Sequence, residues 1–344
     1  MNSIKVTGKG NISAAIIAHS KSAVDGKEII TYELEYHRYI HSELMTHRTF
    51  SRNAASSRAI PVSKMINLVR TSPATPIHWG KNQAGMQASE ECDNKLDWYK
   101  YEDLTPTDAW KVGMYSAIEV SQAFNEAGYH KQITNRLLEP FQMIKVVVTA
   151  TEWDNFFWLR FHKAAQPEIQ ELARCMLVAK KRSVAEVLQV GEWHTPYVAH
   201  FRASDGDAFL EYHSNNLSVT LEEALKISAS CCAQVSYRKT DDSLEKADKV
   251  WQMLTTDERI HSSPTEHQAT PMKMVEWDYN YSALDMTDTP KGYTHVDKSN
   301  KFWSNNFCGW IQHRALIANN NCTSFDYDKE VDETGLAITN NKEM

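Results

Sequence analysis

Twelve consecutive residues, His47-Arg48-Thr49-Phe50-Ser51-Arg52-Asn53-Ala54-Ala55-Ser56-Ser57-Arg58, hold three arginines, a histidine, three serines and an asparagine, with no acid among them. Planar guanidinium groups and hydroxyls at this density suit a phosphate or another flat oxyanion. The nearest upstream acid is Glu43. The segment is therefore either a solvated basic loop or a cationic site whose counter-charge comes from outside it. A second group is Asn155-Phe156-Phe157-Trp158-Leu159-Arg160, followed by Ala165-Gln166-Pro167-Glu168-Ile169. An arginine on so apolar a helix is expensive to bury alone. Arg160 must snorkel to the surface, pair with Glu168 or meet a ligand. The third group is His261-Ser262-Ser263-Pro264-Thr265-Glu266-His267. Pro264 breaks the continuous helix that a helical zinc pair requires, and no third ligand is evident, so no metal site is expected. Cys231-Cys232 and Cys308 have no histidine nearby in sequence to activate them and read as packed small side chains.

The elements that must position these groups are partly visible. Ile12 to Ala18 is a small-residue apolar run, either a short buried helix or a strand. Thr31 to Tyr36 alternates, with Tyr32, Leu34 and Tyr36 on one face and Glu33 and Glu35 on the other, which predicts a half-solvated strand. His37 to His47 loses that alternation and reads as helical, delivering Thr46-His47-Arg48 near a helix end. Pro61, Pro73 and Pro76 mark a loop-rich stretch down to Gly85. Trp110 to Ala127 is an amphipathic helix stopped by Gly128. A second helix carries Ile133 to Leu138, and Asn155 to Ala179 is a long helical run interrupted at most locally by Pro167. Leu221 to Val235 and Ser243 to Leu254 are further helices, and the charged tail from Glu330 is expected to fray.

A chain of 344 residues can build one large core or two ordinary ones. Its formal net charge of -7 disfavours a long polynucleotide partner, although a local basic pocket for one small anion remains compatible with it. The six cysteines show no metal or disulfide spacing, and no apolar run approaches transmembrane length, so a cytoplasmic, reducing setting is expected. The two ends also echo each other. Ile12-Ser13-Ala14 with Ala18 recurs as Ile227-Ser228-Ala229 with Ala233, and His47-Arg48 with Asn53 recurs as His313-Arg314 with Asn319.

Together these segments resemble the flavin-dependent thymidylate synthase family. Its hallmark is Arg-His-Arg, then a serine after seven intervening residues and an arginine two positions beyond; here it reads Thr46-His47-Arg48, Ser56 and Arg58. Arg136-Leu137-Leu138-Glu139-Pro140 resembles the family's arginine-bearing helical turn. Asn155, Leu159-Arg160 and Ala165-Gln166-x-Glu168-Ile169 resemble its C-terminal helix. Ala233-Gln234-Val235-Ser236-Tyr237 and His261-x-x-Pro264-x-Glu266-His267 resemble motifs that ordinarily precede the hallmark. The chain thus looks like a divergent member with a nearly complete unit at 1–205, a partial second unit at 215–325 carrying Gln312-His313-Arg314, and a tail at 326–344. Thr46 and Gln312 replace the first hallmark arginine, Ala54 and Asn320 replace the glutamate after the hallmark asparagine, and Thr149 and Thr151 stand near the family's flavin-contacting Asn and Arg.

The resemblance implies an α/β fold, a sheet flanked by long helices with a partial repeat in the C-terminal half. It implies reductive methylation of dUMP to dTMP with FAD, NADPH and 5,10-methylenetetrahydrofolate in a homo-oligomer, a dimer or tetramer, with neither membrane nor polynucleotide partner. Carried onto this sequence, Ser56, Arg58 and Arg136 would hold the dUMP phosphate, and Arg160 would face the uracil and be catalytic. His47, Arg48 and Asn155 would contact FAD, joined by His261, Ser263, His313 and Arg314 from the second unit. A non-catalytic nucleotide- or flavin-binding relative, and a flavoenzyme acting on another pyrimidine nucleotide, are the competing readings.

Overall fold

The computed structural model describes residues 4–202, 209–236, 240–255, 260–273 and 290–322. The expected tail at 326–344, the unit boundary at 205 and Tyr237 lie outside them.

Three strands open the chain as an antiparallel meander: β1 (Ile4–Thr7), β2 (Ser13–Ser22) and β3 (Glu28–His37). After a 3-10 turn the chain forms α1 (His41–Met45), and the basic segment then enters β4 (Ser51–Ala54). Next comes α2 (Val62–Thr71), where loop was expected. Pro61 starts it, and Val62, Met65, Ile66 and Val69 form a buried stripe at helical spacing, a signal the prolines on either side obscured. The hairpin β5 (Leu96–Trp98) and β6 (Tyr101–Leu104) leads to α3 (Pro106–Glu126), capped by the Thr105 side chain and followed by Gly128 at φ +85°. The short α4 (Lys131–Thr134) passes into a 3-10 turn, and β7 (Met143–Ala150) follows. The long helical run expected from Asn155 is two helices, α5 (Asp154–Arg160) and α6 (Pro167–Arg182). Pro167 stands in the first turn of α6, where its missing N–H costs nothing.

The second half contributes β8 (Glu186–Leu188), β9 (Ala199–Phe201), β10 (Glu211–Ser214), β11 (Leu217–Val219), α7 (Leu221–Ala233), α8 (Leu244–Thr255), β12 (Ala269–Pro271), β13 (His295–Val296), β14 (Phe302–Ser304), β15 (Phe307–Cys308) and β16 (Trp310–Gln312). The fold is mixed α/β, with several sheets and eight α-helices among the described residues. No described helix is long and apolar enough to cross a membrane.

The principal sheet runs β1-β2-β3-β7-β4, with β8 added parallel to the far end of β2. One face carries Tyr32, Leu34, Tyr36, Val146 and Val148, which pack with Ile169, Leu172 and Met176 of α6. The other face carries Ile29, Thr31, Glu33, Val147 and Thr149. The second half covers most of it, so that Ile29, Thr31, Val147 and Thr149 are buried while Glu33 and Glu35 keep the partial exposure expected of them. Ile29 joins Trp193, Ile227, Phe307 and Trp310, while Val147 meets Cys232 and Val235. Glu33 keeps a polar role, pairing with Lys145 at 2.9 Å and accepting from the Tyr197 hydroxyl at 3.1 Å. The apparent repeat is not one of equivalent elements. Ile12 to Ala18 falls at β2, whereas Ile227 to Ala233 falls in helix α7. His47 follows helix α1, while His313 follows strand β16.

Candidate active site

Arg160, at the end of α5, reaches back to the end of α1. Its Nη1 pairs with Glu43 at 2.9 Å, its Nη2 donates to the Thr46 hydroxyl at 3.1 Å, and its Nε donates to His47 Nε2 at 3.0 Å. The arginine therefore resolves the choice left by the sequence with neither solvent nor Glu168, but with Glu43. A sequence signal existed: Glu43 stands four residues before His47, one helical turn away. Glu168 turns inward instead, is buried, and accepts from the Ile77 amide at 3.0 Å and from Gln166 at 3.1 Å.

Accepting from Arg160 at Nε2 makes His47 a neutral imidazole with its proton on Nδ1, a donor with no partner among the described residues. Burial, and then the neighbouring Arg160 and Arg52 charges, push the His47 pKa down to about 4. The ring stacks on Phe50, with centroids 5.6 Å apart, and meets the edge of Phe156 at 5.0 Å. In front of it lies a cavity of roughly 380 Å³ lined by Thr46, His47, Arg48, Thr49, Phe50, Glu152, Asn155, Phe156 and Leu159. Two aromatic rings, one neutral N–H donor and an exposed arginine thus share one pocket with a carboxylate and an amide. Phe50 and Phe156 as wall residues carried no signal beyond ordinary core hydrophobicity.

The three arginines of the basic segment divide their labour. Arg52 is not free for an anion: its Nη1 donates to the carbonyls of Met45 and His47, both at 3.1 Å, and so caps α1. Arg48 and Arg58 are exposed and have no ion-pair partner among the described residues. Ser56 Oγ accepts from the Arg58 amide at 3.2 Å, which leaves its own proton to donate. Asn135 braces this loop by donating to the carbonyls of Ser57 at 2.7 Å and Ile60 at 2.9 Å. That contact places the neighbouring Arg136 beside the loop. Arg136 shares Glu139 with Arg38, at 2.8 and 2.9 Å, so two cations stand against one acid there.

The second-half residues are arranged differently from the expectation. His261 and Ser263 are exposed on the turn before β12, and neither lines the cavity around His47. His313 is held between Trp193 and Trp251, with centroids 5.6 and 5.9 Å away, and burial lowers its pKa to about 4. Arg314 pairs with Glu266 and donates to Asn321 at 2.8 Å. These two residues serve packing between β16, α8 and the turn before β12, and do not face the cavity. Gln312, in the place of the hallmark arginine, is fully buried and donates to Ser51 at 3.2 Å and Asn306 at 2.9 Å, tying the second half to β4.

A family model described as thymidylate synthase complementing protein matches residues 11–184. No curated protein matches the chain. The matched span runs from just before β2 to just past α6. It includes His47, Arg48, Ser56, Arg58, Arg136, Asn155 and Arg160 and excludes His261, Ser263, His313 and Arg314.

Proposed function

The chain belongs to the thymidylate synthase complementing protein family, whose model matches just over half of its 344 residues, and on that premise we propose that it is a flavin-dependent thymidylate synthase making dTMP from dUMP. The observation that carries the proposal is the neutral His47, fixed by Arg160 on the wall of an aromatic cavity with its Nδ1 proton unclaimed. The cavity's volume and wall suit a flat heteroaromatic ring rather than a whole dinucleotide. Phe50 and Phe156 supply apolar surface, the His47 N–H suits a ring acceptor, and Arg48 and Asn155, both exposed and lining the pocket, suit a polar extension of the ligand. On these grounds the residues present fit the flavin ring of FAD. Bound FAD would supply the hydride chemistry, with NADPH as reductant and methylenetetrahydrofolate as one-carbon donor.

The protein's part is binding and orientation. Ser56 and Arg58 give the phosphate of dUMP a hydroxyl and an unpaired guanidinium, and Arg136 adds a cation only half-neutralised by Glu139. Arg160 places a fixed positive charge beside His47; if its Glu43 contact loosens on binding, that charge favours the anionic form of the uracil ring. Exposed Met45, Trp158, Leu159 and Phe161 lie on α1, α5 and the residue after α5, near the cavity, and support a homo-oligomer in which a second copy shields it. His261 and Ser263 are proposed to contact flavin only across such an assembly.

The test is direct. Purified protein incubated with FAD, NADPH, methylenetetrahydrofolate and dUMP should release tritium from C5-labelled dUMP and form dTMP. A yellow protein that does neither would support the second reading, a nucleotide- or flavin-binding relative without catalysis. That reading draws on the saturation of Arg160 by Glu43, Thr46 and His47. Arg58→Ala should weaken dUMP binding by about 2–3 kcal/mol while sparing deoxyuridine. Equal loss for both ligands, measured by calorimetry, would assign Arg58 to loop support.

A further inference from the structure

Six buried or half-buried polar side chains cross the principal sheet as one continuous chain of hydrogen bonds. Ser20 of β2 contacts His194 Nδ1 at 2.8 Å, and His194 Nε2 contacts Thr31 of β3 at 2.8 Å. Thr31 contacts Thr149 of β7 at 2.7 Å, the residue directly opposite it in the strand register. Thr149 contacts His267 Nδ1 at 2.8 Å, and His267 Nε2 contacts Asn53 Oδ1 of β4 at 3.3 Å. Both histidines come from the second half, outside the family-matched span. His194, Thr31, Thr149 and His267 are fully buried.

The direction of every bond follows from its last acceptor. A carbonyl oxygen can only accept, so His267 Nε2 must carry the proton and Nδ1 must be bare. Thr149 then donates to that bare Nδ1 and accepts from Thr31, which in turn accepts from His194 Nε2–H. Ser20 closes the series by donating to His194 Nδ1. Each threonine hydroxyl gives one proton and receives one, Ser20 gives one, and both rings are neutral. Burial agrees with this: it lowers the His194 pKa well below its ordinary value and brings that of His267 to about 3. Asn53 ends the chain with its oxygen turned toward His267, which leaves both Nδ2 protons without a partner among the described residues.

We propose that this chain is a positioning device, in which His267 and His194 fix the amide of Asn53 so that its N–H₂ edge is presented to a ring or phosphate acceptor bound beside the hallmark segment. Asn53 precedes Ser56 and Arg58 by three and five positions, on the strand that leads into their loop. The ligand assignment rests on the proposed function; the polarity of the chain does not.

Two readouts separate those parts. Nitrogen-detected NMR of the histidine side chains should show both His194 and His267 as neutral Nε2–H tautomers. Thr149→Val keeps the shape of the side chain but cuts the series at its centre. It should change the His267 ring signals and weaken FAD or dUMP binding about tenfold, with Thr149→Ser restoring both. Nδ1–H tautomers in the wild type, or Thr149→Val with unchanged His267 signals, would overturn the chain. Changed signals with undiminished affinity would overturn the role given to Asn53. If the wild type binds neither FAD nor dUMP, the functional reading fails while the tautomer result still decides the chain. Should Thr149→Val not fold, Ser20→Ala removes one hydroxyl at the far end, and a change in the His194 signals is the expected result; unchanged signals would overturn the chain.

Discussion

One face of the principal sheet is sealed by α6 with aliphatic and aromatic groups, and its polar contacts include those of two tyrosine hydroxyls, Tyr32 donating to the Met176 carbonyl at 3.2 Å and Tyr36 meeting His41 Nδ1 at 2.8 Å. The opposite face is sealed by the second half of the chain and contains hydroxyls, two neutral histidines, Glu33 and Gln268 alongside Ile29 and Val147. Both faces exclude water, but they pay differently. Apolar burial is non-directional and tolerates small shifts. Buried polar groups are stable only while every partner is in place. The α6 face therefore sets how firmly the sheet folds, and the polar face sets how strictly β2, β3, β7 and β4 hold their relative positions. The basic hallmark segment enters β4, at the end of that polar series.

The largest expected effect belongs to the apolar face. Leu172→Ala in α6 removes a fully buried side chain and should cost about 2–5 kcal/mol of unfolding free energy. Urea denaturation measures it. A loss under about 1 kcal/mol would mean that α6 collapses onto the gap and that this face is less tightly packed than its burial implies.

Acid should act on the polar face instead. His267 stays neutral in the fold down to about pH 3, whereas in the unfolded chain it binds a proton below about 6.5. Its stability contribution is therefore complete above pH 6.5 and declines as the pH falls, by about 1.4 kcal/mol per unit, or about 2 kcal/mol by pH 5. His194 follows the same sign, and the neighbouring His19, His200 and His267 oppose its protonation. His19 also has a lowered pKa, chiefly from burial, although Glu28 works against this. Unfolding free energy measured from pH 7 to pH 5 should fall in parallel for wild type and Leu172→Ala, while His267→Gln should give a flatter curve. Equal slopes in all three would remove His267 from the acid response.

The contrast between the faces also marks what the sequence could disclose. The alternation of β3 revealed which side chains share a face, but Glu33 and Glu35 look the same whether their face meets solvent or a polar cover. Thr31, Thr149, His194 and His267 are scattered over more than two hundred positions and acquire meaning only through strand register. Arg160 and His47 stood out in the sequence as candidates because their motifs are local, and the structure brings the two side chains together. The pairing of Arg160 with Glu43 was less so, since an acid near a basic run has many possible partners. Helix α2 was hidden by Pro61, which reads as a loop marker and here begins a helix. The echo between Ile12–Ala18 and Ile227–Ala233 was misleading because short apolar runs of small residues suit a strand or a helix equally well.

The smallest expected effect tests whether one polar contact on the covered face matters when its partner has another. Tyr197 sits at φ +71°, a backbone region that a bulky side chain adopts only under constraint. Its hydroxyl donates to Glu33, and its ring packs against Val147, Cys232 and Val235. The phenol thus bridges the polar cover and the sheet, while Glu33 keeps Lys145 on its other oxygen at 2.9 Å. Tyr197→Phe retains the ring and the constrained backbone and deletes only the donated hydrogen bond. Because Glu33 remains paired, the cost should be about 1 kcal/mol, without the larger penalty of an orphaned buried carboxylate. The double variant with Lys145→Met removes that protection, so its loss should exceed the sum of the two single losses. Additive losses in urea denaturation would show that Glu33 finds water when its partners are removed, and that this edge of the polar face is wetter than its centre.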